Sequence, residues 1–307
     1  MASALERDAM RRAIALSAFG LGTSSPNPPV GCVILDANGN FVGEGYHERK
    51  GEPHAETQAL TAANEHARGG TAVVTLEPCN HQGRTPACRQ ALIEAGIARV
   101  IISVIDPTSR GEGGAAALRH AGVEVEVGIL DGENRLVLGP WLAALERKRP
   151  FVTLGYTVNT DGRISGLPTT DRTSVHEIMM DAHNLRLIHD AILLDNDHLE
   201  EGILNGHGRD VFNLPTDTPQ KASDLLAALV DGGVRSLLVD GTCSLARPFL
   251  EIDLVDQAVA YIDSGGPSNA RLATVDDKHF VGLLRGFAFR DITRVGQAVR
   301  VSSARQW

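Results

Sequence analysis

The chain has 307 residues, 43% of them hydrophobic and 22% charged, an ordinary soluble balance with length for two cores. Its formal net charge of −9 excludes a general nucleic-acid binder, because no basic excess is available to neutralise phosphates. No apolar run approaches the ~18 residues of a membrane span, and residues 1–10 alternate acidic and basic side chains without an apolar signal core. The four cysteines (Cys32, Cys79, Cys88 and Cys243) are too few for a disulfide framework in a chain this long. A cytoplasmic location is therefore expected, with thiols free to bind metal.

Taken in chain order, Leu5, Ala9, Ile14 and Ala18 lie at helical spacing and predict a helix over 3–21. It runs into a Gly- and Pro-rich loop over 20–29. Residues 30–35 and 41–46 read as a hairpin across the turn Asp36-Ala-Asn-Gly-Asn40. Helices over 54–68, 86–95 and 114–120 then alternate with strands over 72–76, 100–104 and 123–127, which predicts a layered α/β sandwich with several parallel strands. A basic helical stretch ends at Glu146-Arg-Lys-Arg-Pro150, where proline should break it, and the domain boundary is placed at about residue 149. The second half alternates again: a strand over 151–158, helices over 174–187 and 222–230, strands over 191–194 and 236–239, then strands over 254–262 and 297–301.

Three stretches of the first half carry reactive side chains: Gly51-Glu-Pro-His54-Ala-Glu56, Leu76-Glu-Pro-Cys79, and Asn80-His-Gln-Gly-Arg-Thr-Pro-Ala-Cys88. Two thiolates and one imidazole suit a borderline-soft ion such as Zn²⁺, and three protein ligands leave a fourth position for water. Glu56 lies two residues beyond His54 in the first turn of the same predicted helix. That spacing makes it a poor fourth ligand but a well-placed proton carrier. Zn²⁺ with two thiolates and a neutral imidazole nets to about zero charge, so it acidifies water less than an all-histidine site and leaves a carboxylate something to do. His/Cys/Cys ligation with a non-ligand Glu is the arrangement of zinc nucleobase deaminases. A structural zinc site is the alternative; it would close the shell with a fourth ligand, for which His81 is a candidate. Cys32 and Cys243, flanked by strand-like apolar sequence, are expected to be buried, inert thiols.

The stretches Ser25-Pro-Asn-Pro-Pro-Val-Gly-Cys-Val-Ile34, Gly51–Glu56, and Thr75-Leu-Glu-Pro-Cys79 through Cys88, with the loop at Asp106-Pro107, span about residues 5–130. On these the first half resembles the deaminase domain of the bifunctional riboflavin-biosynthesis deaminase/reductase family. The eight residues between the cysteines are that family's feature among zinc deaminases, whereas a Cys-x-x-Cys gap points to cytidine, adenosine or guanine enzymes. The resemblance implies a cytidine-deaminase-like three-layer α/β/α sandwich over 1–148. It implies Zn²⁺ on His54, Cys79 and Cys88, with Glu56 as the catalytic carboxylate. The implied reaction is hydrolytic deamination of 2,5-diamino-6-ribosylamino-4(3H)-pyrimidinone 5′-phosphate. Asn27 would read the pyrimidine edge and His47 would position the base; Arg84 and Thr85 would face the ribose phosphate, with Asp106 near the ribose. An arginine makes sense there, since an acidic protein must concentrate positive charge where it binds a phosphate. Read as residues alone, Asn27 is equally a turn residue between prolines, and His47 a satisfied core or surface histidine. One departure bears on substrate: Thr108 replaces the family's Asn in a rewritten Asp106–Gly114 loop. Another aminopyrimidine, a purine or a pterin is the alternative substrate, and a non-catalytic zinc-held scaffold the alternative class.

Arg149-Pro-Phe-Val-Thr-Leu-Gly155, Asn159-Thr-Asp-Gly-Arg-Ile164, His189-Asp-Ala-Ile-Leu-Leu194 and Gly233-Val-Arg-Ser-Leu-Leu-Val-Asp-Gly241 resemble the family's reductase domain. They imply a truncated dihydrofolate-reductase-like α/β fold over 149–307. Gly155 stands in place of a substrate-binding Lys, Asp195-Asn-Asp-His-Leu199 in place of a Gly-x-Gly-Thr-Val turn, and Asp240-Gly-Thr242 in place of Glu-Gly-Gly. Glycines let backbone approach a dinucleotide phosphate, which two carboxylates would repel. The chain also passes almost directly from Gly208-Arg-Asp-Val211 to the helix near Leu225. NADPH and reductase activity are therefore not expected. Arg186 reads as part of a charged helix face, with a survivor of the family's substrate-binding set as the alternative, and His176, His183, His189, His198 and His207 follow no ligand spacing. The expected partners are a small phosphorylated aminopyrimidine and a second copy of the chain, in a homo-oligomer expected to be a dimer, with no nucleic acid and no membrane. The retained second domain would then serve dimerisation or support of the first.

Overall fold

In a computed structural model of the chain, the described residues are 1–81, 87–108, 113–159, 164–168, 176–194, 210–212, 217–241, 243–263 and 284–305. They fall into two units, Met1–Leu142 and Ala143–Trp307. No helix among them is long and apolar enough to cross a membrane.

The first unit opens with α1 (Ala4–Ser17), started by a capping box in which Ser3 Oγ accepts the Glu6 N–H and Glu6 accepts the Ser3 N–H. Five strands follow: β1 (Gly31–Leu35), β2 (Phe41–Tyr46), β3 (Thr71–Leu76), β4 (Arg99–Val104) and β5 (Glu124–Val127). They form one sheet in the order β2-β1-β3-β4-β5. The hairpin β1–β2 and the pair β1–β3 are antiparallel, while β3–β4 and β4–β5 are parallel. Every residue of β1 is buried, because both faces are covered. Val33, Leu35, Val73 and Ile101 pack with Ala9, Met10, Ala13 and Leu16 of α1. On the other face lies α2 (Ala55–Ala63). Contact on both sides is at backbone range: a Cβ on Gly31 would sit 2.0 Å from the Ala13 carbonyl oxygen, and one on Gly43 2.3 Å from that of Ala59. With α3 (Cys88–Glu94), α4 (Gly114–His120) and α5 (Asp131–Arg147), this is the expected α/β/α sandwich. Residues 77–81 and 105–108 leave the carboxyl ends of the parallel strands β3 and β4, where α/β sheets place their ligands.

The second unit is built on β6 (Phe151–Asn159), β7 (Ile164–Ser165), β8 (Ala191–Leu194), β9 (Asp210–Phe212), β10 (Ser236–Asp240), β11 (Gln257–Asp263), β12 (Phe287–Val295) and β13 (Ala298–Arg305). Their order is β12-β13-β11-β6-β10-β8-β9, with β7 paired to β6. The run from β11 to β9 is parallel, and β13 and β12 close one edge as an antiparallel hairpin. Alternate residues of the parallel strands feed two cores. Leu154, Leu193 and Val239 meet Leu226 of α7 (Pro219–Asp231) and Phe249 of α8 (Cys243–Glu251) on one face. Ile192, Leu194, Leu238 and Tyr261 meet Ile178 and Ala182 of α6 (His176–Leu187) on the other.

Beyond the short strands β7 and β9, which the sequence does not predict, three features of this unit depart from the sequence reading. Cys243 opens a helix, α8, so its surroundings are helical rather than strand-like; Leu245, Ala246, Phe249 and Leu250 bury one helical stripe that Pro248 hides in the sequence. The strand β12 was not anticipated, because four successive residues in its middle are exposed and no apolar alternation marks it. Arg186 is not on a charged helix face. It is 3% exposed and its guanidinium lies 2.6 Å from Asp240, itself 2% exposed. It also donates to the Leu167 and Pro168 carbonyls, while Asp240 accepts the Leu167 N–H at 3.0 Å. Periodicity placed Arg186 on α6 but could not show that β10 would bring a carboxylate beneath it. Removing one partner of such a pair leaves a buried charge, so Arg186→Ala should cost about 3–5 kcal/mol in a denaturant titration. A loss below about 1 kcal/mol would mean that water reaches the pair.

Candidate metal centre

Three ligand atoms converge at the turn-to-helix junctions of the first unit. His54 is the N-cap residue of α2, Cys79 follows the end of β3, and Cys88 is the first residue of α3. Their ligating atoms all lie within 4.8 Å of one another, with His54 Nδ1 3.2 Å from Cys88 Sγ and 3.7 Å from Cys79 Sγ. Among the described residues this is the one such group, and the exposed His81 is not part of it.

The thiols are already primed for a cation. The Cys88 backbone N–H donates to Cys79 Sγ at 3.3 Å, so the Cys79 sulfur sits on the amino end of α3. Its pKa lies well below the usual thiol range, chiefly through the hydrogen bond from the Cys88 thiol, with His54 adding to it. Cys88 is pushed the other way, first by Cys79 and then by burial. Both sulfurs stand within reach of the imidazole, so a cation held there would meet all three donors. Two sulfurs and an imidazole are the donor set that zinc prefers. They fit it.

Glu56 lies in the first turn of α2 and is 3% exposed. Burial raises its pKa, while His54 pulls it back down. A carboxylate placed there can take up a proton and pass it on. Cys32, fully buried on β1, has its thiol pushed up by the same burial and by the charge of Glu56.

Of the residues predicted for substrate, Asn27 and His47 are brought together. Asn27 Nδ2 donates to His47 Nε2 at 3.0 Å, and His47 Nδ1 donates to the Pro53 carbonyl at 3.2 Å. The His47 ring stands edge-on to that of His54, centroids 5.2 Å apart, and burial lowers its pKa, favouring the neutral acceptor that Asn27 requires. Trp141, which the sequence reading did not single out, anchors this loop by donating from Nε1 to the Pro26 carbonyl at 3.0 Å. Asp106 is half-buried and accepts the Thr108 N–H at 2.8 Å, so the departure at Thr108 is accommodated through backbone. Arg84 and Thr85 lie outside the described residues. Glu77, which the sequence shows only as part of the Leu76–Cys79 stretch, is buried between the cysteine-bearing loop and α4.

The model of the cytidine and deoxycytidylate deaminase zinc-binding region matches residues 4–104, which include every ligand of this group. The chain is 47% identical over 155 residues to the riboflavin biosynthesis protein RibD of Escherichia coli and 39% identical over 192 residues to that of Aquifex aeolicus. These matches cover 50% and 62% of the chain but 42% and 54% of the relatives, so the chain spans about half the length of these curated relatives. The match to the Mycobacterium tuberculosis RibD is longer, 33% identity over 338 residues and 96% of each chain. Among solved structures, the diaminohydroxyphosphoribosylaminopyrimidine deaminase/5-amino-6-(5-phosphoribosylamino)uracil reductase of Thermotoga maritima superposes with a TM-score of 0.80 at 25% identity, covering 98% of this chain and 99% of that one. The RibD of Acinetobacter baumannii gives 0.79 at 27%, covering 99% of each. With its zinc-binding deaminase region at one end and a match that runs nearly from end to end, the chain belongs to the riboflavin biosynthesis protein RibD family.

Proposed function

We propose that the first unit, read as residues 1–148, hydrolyses the exocyclic amine of 2,5-diamino-6-ribosylamino-4(3H)-pyrimidinone 5′-phosphate, yielding the ring carbonyl and ammonia. The observation that carries this is the group His54, Cys79 and Cys88 with buried Glu56 in the adjoining helical turn. Zinc, which His54, Cys79 and Cys88 would hold, would supply Lewis-acid activation for the hydrolysis. Glu56 would take a proton from the attacking water and deliver it to the departing amine. Asn27, with one N–H held by His47, offers its Oδ1 and remaining N–H to the pyrimidine edge. Arg84 and Thr85 are assigned to the ribose phosphate, and Asp106 to the ribose. A second reading changes only the substrate, to another aminated heterocycle, and is favoured by Thr108 in the loop beside Asp106.

The reductase-like part of the chain, read from the sequence as residues 149–307, is proposed to be a structural partner in a homodimer rather than a reductase, in a cytoplasmic protein. A Cβ on Gly155 of β6 would lie 2.8 Å from Leu167 Cδ1 and 3.3 Å from Leu238 Cδ1, so a longer side chain there would require those leucines to move. Arg186 is committed to Asp240.

Ammonia release from the pyrimidine phosphate in a single turnover should be rapid, and Glu56→Gln should slow it by at least about 10²–10⁴-fold while zinc stays bound. No release by the zinc-loaded wild type would remove that substrate in favour of other aminated heterocycles. Chelation, or Cys88→Ala, should reduce zinc from about one per chain towards none and abolish release; metal retained in Cys88→Ala would rule out the ligand set. Incubation of the whole chain with NADPH and the deaminated product should oxidise no NADPH, and measurable oxidation would overturn the structural role of the second unit.

A further inference from the structure

The geometry points to Glu77 as a positioning residue that ties Asp106 and the first turn of α4 to the loop carrying Cys79. Glu77 stands two residues before Cys79 and is 5% exposed, so its carboxylate must find compensation inside the protein. Among the described residues its side-chain partners are backbone amides: Oε1 accepts the Ala115 N–H at 2.7 Å, and Oε2 accepts the Asp106 N–H at 3.3 Å. Its own N–H donates to the Val104 carbonyl at 2.9 Å, which carries the β3–β4 pairing one residue past the strand end.

The need for such a group is written in α4. The N-cap of this helix is Gly113, which has no side chain to accept an amide of the first turn. Glu77 supplies that acceptor from the end of the neighbouring strand β3, and its negative charge is matched to the helix end it faces. The two segments touch as closely as backbone allows. A Cβ on Gly114 would lie 2.1 Å from the Pro78 carbonyl oxygen and 3.3 Å from Glu77 Cγ, and one on Gly113 would lie 3.5 Å from Asn80 Nδ2. The start of α4 therefore rests on Pro78 and Asn80, the residues on either side of Cys79. One carboxylate fixes how far Asp106 stands from the cysteine that holds the metal.

Placing Asp106 near the ribose rests on the function proposed above; the clamp itself does not. Glu77→Gln keeps the volume but can accept only one of the two amides and turns its NH₂ on the other. In that variant zinc content and kcat for ammonia release should stay near those of the wild type. KM should rise by roughly tenfold to a hundredfold, the range of one charge-assisted hydrogen bond. Amide hydrogen exchange at Asp106 and Ala115 should quicken by a similar factor while the β3 and β4 amides do not change. Glu77→Asp, its carboxylate drawn back by one methylene, should behave like Gln or worse, and it serves as the second variant if Gln does not fold. An unchanged KM with zinc retained overturns the positioning role, as does loss of zinc and kcat together. Unchanged exchange at both amides overturns the clamp. If the wild type releases no ammonia from this substrate, the proposed function has failed, and the exchange measurement still decides the clamp.

Discussion

Two thiols and an imidazole within 4.8 Å of one another are a demanding arrangement, and the first unit depends on it. Burying a thiol such as Cys88 costs desolvation, and backbone dipoles at the helix starts offset part of it. Cys79 reaches the amino end of α3, Cys88 begins that helix, and His54 stands at the start of α2. Each ligand thus sits where a helix presents unpaired N–H groups, and each helix is held against the sheet by closely packed backbone. The sheet is what makes the three junctions coincide.

The same logic extends outward from the ligands. Asn27 leans on His47, His47 on the Pro53 carbonyl, and the Asn27 loop on Trp141. Asn134, fully buried on α5, donates to the Thr75 carbonyl beside the cysteine loop at 2.7 Å. These bonds are single neutral contacts of modest net worth, about 1 kcal/mol each. Their effect is to hold side-chain direction more than to add stability.

The second unit uses buried carboxylates differently. Asp240 joins β10 to α6 through Arg186 and to the chain before α6 through the Leu167 N–H. Asp256 accepts from Arg147, Arg149 and the Val152 N–H and fastens the entry to β6. His189 is satisfied in the same manner, its ring nitrogens meeting the Leu185 carbonyl and the Thr153 hydroxyl. Asp240, Asp256 and His189 are thus each satisfied by protein partners.

Much of this was legible in the residues themselves. The Gly51–Glu56 and Leu76–Cys88 stretches carry ligand types whose chemistry is local: soft donors, a carboxylate at a fixed two-residue offset, and helical starts that set their direction. Apolar periodicity likewise marked most strands and helices, because burial of one face repeats along the chain. It failed where burial does not repeat, as at the exposed β12, and where proline disguised a helix, as at α8. Tertiary structure alone decided which distant groups meet. Arg186 and Asp240, Glu77 and Ala115, and Trp141 and Pro26 are separated by tens of residues. A hydrogen bond acts over about 3 Å, so only the register and packing of the sheets could bring those atoms within reach.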